Sequence, residues 1–361
     1  MNNDLLNYIF FSFGTSFFVI AIINILSKKT KIISTDHLHN GPQKLHKNST
    51  PRIGGLGIFL GMLTFVILSC IYKEPFCKEL FLIFVCSLPV FITGIWEDLT
   101  CHLKSTLRLF LTSISGMLIF FLFGGISNVG LPIFDYLLGL SFVAFIFTVF
   151  AITGVVHSFN IIDGCNGVAS FISMMNLYAL TIIACKTGDM ALTVYGVVFI
   201  SIIVAFFIFN WPFGTIFLGD GGAYLIGYLI ALMSVLILIR HPEVSAWAIL
   251  LINIYPVFET IFSVIRRKIS KSGSTLSADS KHLHTLIYNN LNKRFYHDKN
   301  SNFVSSFSSI FLWILNIFAV IPAIVFQEKT SFLILFCFIF IILYLLIYKE
   351  LSVLNTSYSD C

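Results

Sequence analysis

Asp220 stands between glycines in the stretch Asn210-Trp-Pro-Phe-Gly-Thr-Ile-Phe-Leu-Gly-Asp-Gly-Gly222, where two long apolar segments meet. A carboxylate at the edge of a membrane span is costly, so such residues usually line a polar cavity, pair with a partner or bind a cation. Gly219, Gly221 and Gly222 carry no Cβ and let backbone N–H groups approach an anionic ligand at the start of the next helix. The stretch reads as a seat for a metal-bound phosphate. A Pro/Gly turn with one solvated aspartate is the plainer alternative.

Four further stretches hold most of the remaining reactive side chains. Glu97 and Asp98 are adjacent carboxylates that repel one another unless a cation or basic group compensates them; such hard oxygen donors suit Mg²⁺ or Mn²⁺. They also suit a helix cap at the membrane surface. In His157-Ser-Phe-Asn160-Ile-Ile-Asp163-Gly164-Cys-Asn166-Gly167, Asn160 and Asp163 are three apart and share a face if helical. The two glycines would then let the chain turn close to a ligand, although a capped helix end accounts for the same residues. Lys44, His46, Lys47 and Arg52, followed by Gly54 and Gly55, could gather on an anion, and positive-inside anchoring explains the same charges. His282 and His284, with Lys281 beside them, could donate to a diphosphate or move a proton, or else lie on an interfacial amphipathic segment with Leu283, Leu286, Ile287 and Leu291. Glu259 fits either a structural counter-ion or part of the site.

The elements that position these residues are membrane spans. With 57% hydrophobic and 11% charged residues, the chain falls far below the roughly 25% charge of soluble domains. A span needs about 20 apolar residues. About eleven segments qualify: Leu5–Leu26, Ile53–Ile71, Leu80–Ile95, Leu107–Gly124, Leu137–Val156, Val168–Cys185, Met190–Phe209, Gly222–Ile239, Ala246–Ile265, Ser305–Phe326 and Ser331–Tyr348. The expectation is an all-α, polytopic, single-domain membrane protein over residues 1–361. Of the 22 lysines and arginines, 17 fall in one set of alternate loops and the tail, and five in the other. The positive-inside rule then places the N-terminus outside and the C-terminus in the cytoplasm. The net charge of +5 needs no nucleic acid to explain it. The first apolar run lacks a basic n-region and is long for a signal peptide, so an anchor that stays is expected. The eight cysteines form no C-x-x-C pair, and no disulfide framework or thiolate metal site is expected.

Taken together, these stretches resemble the polyprenyl-phosphate N-acetylhexosamine-1-phosphate transferases of the MraY/WecA type. The likeness runs from about Asp36 to His284 in five ordered places: His46…Thr50-Pro51-Arg52-Ile-Gly54-Gly55, Gly94…Glu97-Asp98, Asn160-Ile-Ile-Asp163-Gly164…Gly167, Phe217-Leu-Gly219-Asp220-Gly221 and His282-Leu-His284. The resemblance implies a family-like core at about 36–290 with two further C-terminal spans at 305–348. It implies transfer of a sugar-1-phosphate from a UDP-N-acetylhexosamine to undecaprenyl phosphate, with release of UMP and Mg²⁺ as cofactor, Mn²⁺ being an alternative. Asp220 and Asp98 would form the metal or acidic centre, with Glu97 beside them. Asp163, with Asn160 and Asn166 on the same stretch, would position nucleotide, metal or acceptor phosphate. His282 and His284 would contact the donor diphosphate, with Lys44, His46 and Arg52 as secondary anion contacts. The implied setting is a bacterial inner membrane, with a multi-pass chain, a cytoplasmic-face site and monomer or homodimer left open.

Glu97 replaces the usual first Asp of the acidic pair, Asn166 stands where many relatives have Asp, and Thr285 where many have a third His. These departures bear on the sugar and the metal shell more than on the reaction class. They favour an initiator of an envelope glycan, such as an O-antigen or capsule, over the phospho-N-acetylmuramoyl-pentapeptide transferase. A transporter using Asp163, Asp220 and Glu259 as a relay, or an inactive relative, are the remaining alternatives; the transporter would carry paired broken helices in an internal repeat, which the sequence does not display.

Overall fold

The computed structural model describes residues 2–30, 50–100, 102–270, 281–293 and 301–357. Among these residues there are fourteen helices and no strand. The reason is the bilayer: with no water in its core, a spanning segment must satisfy its own N–H and C=O groups, and a helix does so within one segment. In chain order they are α1 (Asn2–Thr30), α2 (Gly55–Ile71), α3 (Cys77–Thr100), α4 (Ser105–Phe123), α5 (Pro132–Leu138), α6 (Ser141–Ile162), α7 (Val168–Lys186), α8 (Met190–Asn210), α9 (Gly219–Arg240), α10 (Ala246–Ile252), α11 (Ile254–Ser270), α12 (Leu283–Leu291), α13 (Ser301–Val325) and α14 (Thr330–Ser357).

Nine of the described helices are long and apolar enough to cross a membrane, and α10 with α11 make a tenth candidate bent by 75°. The remaining expected segment coincides with α2, which has 17 residues and is short for a span. The bend in the tenth was not expected from the sequence, which reads as one continuous apolar run there. Asn253 sits at the break and its side chain repairs it. Its Nδ2 donates to the Ile249 carbonyl at 3.0 Å and to Ser234 Oγ at 3.4 Å, while its Oδ1 accepts from Asn176 Nδ2 at 3.1 Å. Asn316 on α13 donates in turn to Asn176 Oδ1 at 2.9 Å, so four helices are joined by one buried polar chain. Interhelical amide bonds of this kind hold helices together where lipid supplies no hydrophobic drive.

α9 is the centre. Of its apolar window 89% is buried, against 22% for the peripheral α14, and it packs against α2, α3, α6, α7 and α8. A helix apolar all round has to be enclosed in this way. Short links between α3 and α4, at 163–167 and at 211–218 make α3/α4, α6/α7 and α8/α9 antiparallel neighbours, and these links therefore gather at one end of the bundle. The opposite end is tied by Arg240, whose guanidinium pairs with Glu79 at 2.7 Å and Asp189 at 3.2 Å.

That opposite end also holds a disulfide, Cys70–Cys77, between the end of α2 and the start of α3. This corrects the expectation of no disulfide. The six residues between the two cysteines carry no recognisable motif, but the tight α2–α3 turn brings their Cα atoms to 5.3 Å, within the range a bridge requires.

Candidate active site

The site grows from the amino end of α9. The first N–H groups of a helix have no partner inside it and collect positive potential. Asp98, at the carboxyl end of α3 and 2% exposed, supplies that partner: Oδ1 accepts from the Asp220 N–H at 2.8 Å and Oδ2 from the Gly221 N–H at 2.9 Å. Asp98 thus caps α9 from another helix.

The approach is close because glycine allows it. Gly219 has φ +75°, and a Cβ there would lie 2.1 Å from the Arg52 carbonyl oxygen. A Cβ on Gly94 of α3 would lie 2.4 Å from the Gly221 Cα. The first loop locks onto the same place through its backbone: Phe217 N–H donates to Pro51 O at 2.9 Å, Gly54 N–H to Phe217 O at 3.0 Å and Gly55 N–H to Leu218 O at 3.0 Å. Arg52 is thereby fixed beside α9.

Asp220 projects from this junction with three groups around its carboxylate. Its Oδ1 accepts from Asn160 Nδ2 at 3.0 Å, and Arg52 Nη2 stands 3.7 Å away. Its Oδ2 accepts from Arg108 Nη1 at 3.0 Å. That same Arg108 nitrogen lies 3.5 Å from Glu97 Oε1, while Glu97 Oε2 accepts from the Leu103 N–H at 2.9 Å. Glu97 therefore braces the α3–α4 turn and Arg108. Asp163, one residue beyond α6, has its carboxyl pushed up to about 7 by burial; the Arg52 guanidinium pulls it down and the Asp220 charge pushes it further up.

The histidine segment closes the site from the other side. The His282 and His284 rings stack nearly parallel with centroids 5.4 Å apart. A Cβ on Gly164 would fall 1.9 Å from His284 Nε2, so the Asp163-Gly164 turn and the histidines interlock. His157 serves as wall: its Nε2 shares a hydrogen bond with Thr112 Oγ1 at 2.9 Å, and its ring packs against Tyr224.

The family model described as Glycosyl transferase family 4 matches residues 80–238, which contain Asp98, Arg108, Asn160, Asp163 and Asp220. A probable undecaprenyl-phosphate N-acetylglucosaminyl 1-phosphate transferase of Bacillus subtilis is 27% identical over 350 residues, 94% of this chain and 91% of that protein. An undecaprenyl-phosphate alpha-N-acetylglucosaminyl 1-phosphate transferase of Thermotoga maritima is 26% identical over 278 residues, 77% of this chain and 80% of its own length. A phospho-N-acetylmuramoyl-pentapeptide-transferase of Streptococcus pneumoniae is 26% identical over 265 residues, covering 70% and 79% of the two chains. The family model and these relatives together support the polyprenyl-phosphate hexosamine-1-phosphate transferase family for this chain.

In this transferase the structure brings Glu97, Asp98, Asn160, Asp163, Asp220 and Arg52 into one cluster, with His282 and His284 across the Asp163 turn. Asn166 is placed differently. It is 2% exposed, its Nδ2 donates to Ser306 Oγ at 3.2 Å and its N–H to Ser305 Oγ at 3.0 Å, so it fastens the turn to α13 and stands in the wall behind the cluster. Lys44 and His46 lie outside the described residues. Arg108 is the residue that sequence reasoning missed. In the sequence it counts among the orienting charges, yet a cation in the first turn of a helix opposes the helix dipole, and that mismatch is the signal that an acidic partner waits nearby.

Proposed function

We propose that this transferase moves a sugar-1-phosphate, an N-acetylhexosamine-1-phosphate, from a UDP-sugar to undecaprenyl phosphate, releasing UMP and starting a lipid-linked envelope glycan. The observation that carries the reading is the meeting of Asp98, Asp163 and Asp220 with Arg52 and Arg108 at one end of a membrane bundle. Opposed acids and guanidinium groups at the rim of the bilayer suit a reaction between a soluble diphosphate and a lipid phosphate. The names of the Bacillus and Thermotoga relatives support the acceptor and the transferred group.

The new bond joins an acceptor phosphate oxygen to the β-phosphorus of the donor. The bond that breaks runs from that phosphorus to the oxygen bridging the α- and β-phosphates, and its electron pair leaves with UMP. An ionised phosphate needs no base to attack, so the work left to the protein is alignment and charge stabilisation. Arg52 and Arg108 hold phosphate oxygens, Asn160 fixes Asp220, and His282 with His284 face the donor diphosphate. The residues also fit Mg²⁺, which takes one or two carboxylates and completes its shell with water and phosphate oxygens. Asp220 would hold the ion, with Asp98 beside it, once Arg108 turns from the carboxylate to phosphate. When bound, the ion would offset charge on the donor phosphates. The site would face the cytoplasm of a bacterial inner membrane, where UDP-sugars are made.

The test is UMP release by purified protein given undecaprenyl phosphate and a panel of UDP-N-acetylhexosamines, with Mg²⁺ or with EDTA. Acceptor- and metal-dependent UMP release with one sugar is the expected result. Release only with UDP-N-acetylmuramoyl-pentapeptide would transfer the chain to the peptidoglycan branch, and no release from folded protein would overturn the reading.

A further inference from the structure

Glu259 lies on α11 and is fully buried. An isolated ionised carboxylate in such a place costs several kcal/mol, so its partners define what it is for. Its Oε2 accepts from the Tyr344 hydroxyl of α14 at 2.6 Å. Its Oε1 meets three groups: His282 Nδ1 at 2.9 Å, the Leu283 N–H at 3.3 Å and Ser263 Oγ at 3.4 Å. Ser263 Oγ itself stands 3.1 Å from His282 Nδ1. A carboxylate can only accept, so the ring nitrogen facing it carries the proton. The same oxygen also caps the first turn of α12, where negative charge is favoured.

We propose that Glu259, held by Tyr344, is a positioning residue that fixes the Nδ1–H of His282 on its carboxylate and turns Nε2 toward the donor diphosphate, to which the ring donates when Nε2 also carries a proton. The arrangement parallels the way a second carboxylate fixes the tautomer and direction of a working imidazole. It places α14, far from Asp98 and Asp220 in the chain, in the machinery that presents the histidine. The proposal rests on the donor role given above to His282. A purely structural Glu259 would instead glue α11 to α14 and act on folding alone.

Two measurements decide it. In protein labelled with ¹⁵N-histidine, the His282 signals are assigned by their loss in His282→Ala. A protonated Nδ1 that is perturbed in Glu259→Gln and in Tyr344→Phe is expected. An unprotonated Nδ1 overturns the proposal whatever reaction the chain performs. In turnover, Glu259→Gln is expected to raise the KM for the UDP-sugar about tenfold or more while the KM for the lipid acceptor holds. Added to His282→Ala, the same change should cost less than about twofold, because both act through one ring. Equal losses in both backgrounds, or equal shifts in both KM values, would assign Glu259 to the scaffold. A wild-type protein with no turnover would defeat the functional reading and leave the ¹⁵N result to decide the ring geometry.

Discussion

In the proposed reaction Asp220 is the residue on which the chemistry turns, and its contact to Arg108 shows how its charge is balanced. Asp220→Asn is expected to lose turnover by about 10²–10³-fold while the protein stays folded in detergent, because Glu97 at 3.5 Å still gives Arg108 a partner. Near-normal turnover would remove Asp220 from the metal role. Arg108→Ala is expected to cost a similar factor and Arg108→Lys less, since lysine keeps the charge and loses the fork. Asp163 adds a pH signature. In EDTA, burial keeps its carboxyl protonated up to about 7 in the folded chain, whereas an unfolded aspartate ionises near ~3.9. The folded state therefore binds the extra proton between those values, and stability falls as pH rises through the window. Asp163→Asn should flatten that slope in melting curves recorded against pH; an unchanged slope would contradict the assignment. The acids, Asn160 and Arg52 were legible in the sequence because polar groups are expensive beside a membrane. Arg108 was not, since a cation in a loop-rich count of orienting charges looks like any other. Asn166 shows the converse: it sits among the right neighbours in sequence, and its contact to Ser306 of α13 depends on residues 140 positions away.

At the scale of elements, the helices were legible because apolar runs of span length announce themselves. All eleven expected segments coincide with helices, one of them on the bent pair α10 and α11 and one on the short α2. The bend itself was hidden, because Asn253 makes a break only through partners on α7 and α9 that the local sequence does not name. The backbone crossing at α9 leads to a prediction of its own. Gly94→Ala would set a methyl group against the Gly221 backbone, which cannot move aside as a flexible side chain could. Overpacking of this kind costs about 1–3 kcal/mol. A lowered melting temperature together with lost turnover is expected, and an unaltered melt would contradict the close backbone crossing of α3 and α9 at Gly94 and Gly221. The Cys70–Cys77 bridge lies at the other end of α3, more than 20 residues from Asp98, or about 30 Å at 1.5 Å per residue. Cys70→Ser with Cys77→Ser should lower stability by about 2–3 kcal/mol and leave turnover at 25 °C intact.

For the whole molecule, the acids, guanidinium groups and histidines share one end of the bundle, and the disulfide with the Arg240, Glu79 and Asp189 cluster occupies the other. A disulfide belongs on an oxidising side, which agrees with the proposed orientation, in which the charge bias puts the carboxylate end in the cytoplasm. A cysteine introduced at Gly188 should react with impermeant thiol reagents in intact cells, and one at Leu103 should react only after lysis; the reverse pattern would invert the molecule. The central claim is that phosphorus travels with the sugar, and following that atom tests it most directly. With UDP-N-acetylhexosamine labelled by ³²P at the β-position and undecaprenyl phosphate as acceptor, the account predicts that the label enters the lipid fraction, mole for mole with UMP released. Label retained in UDP while sugar enters the lipid would show plain glycosyl transfer and contradict it.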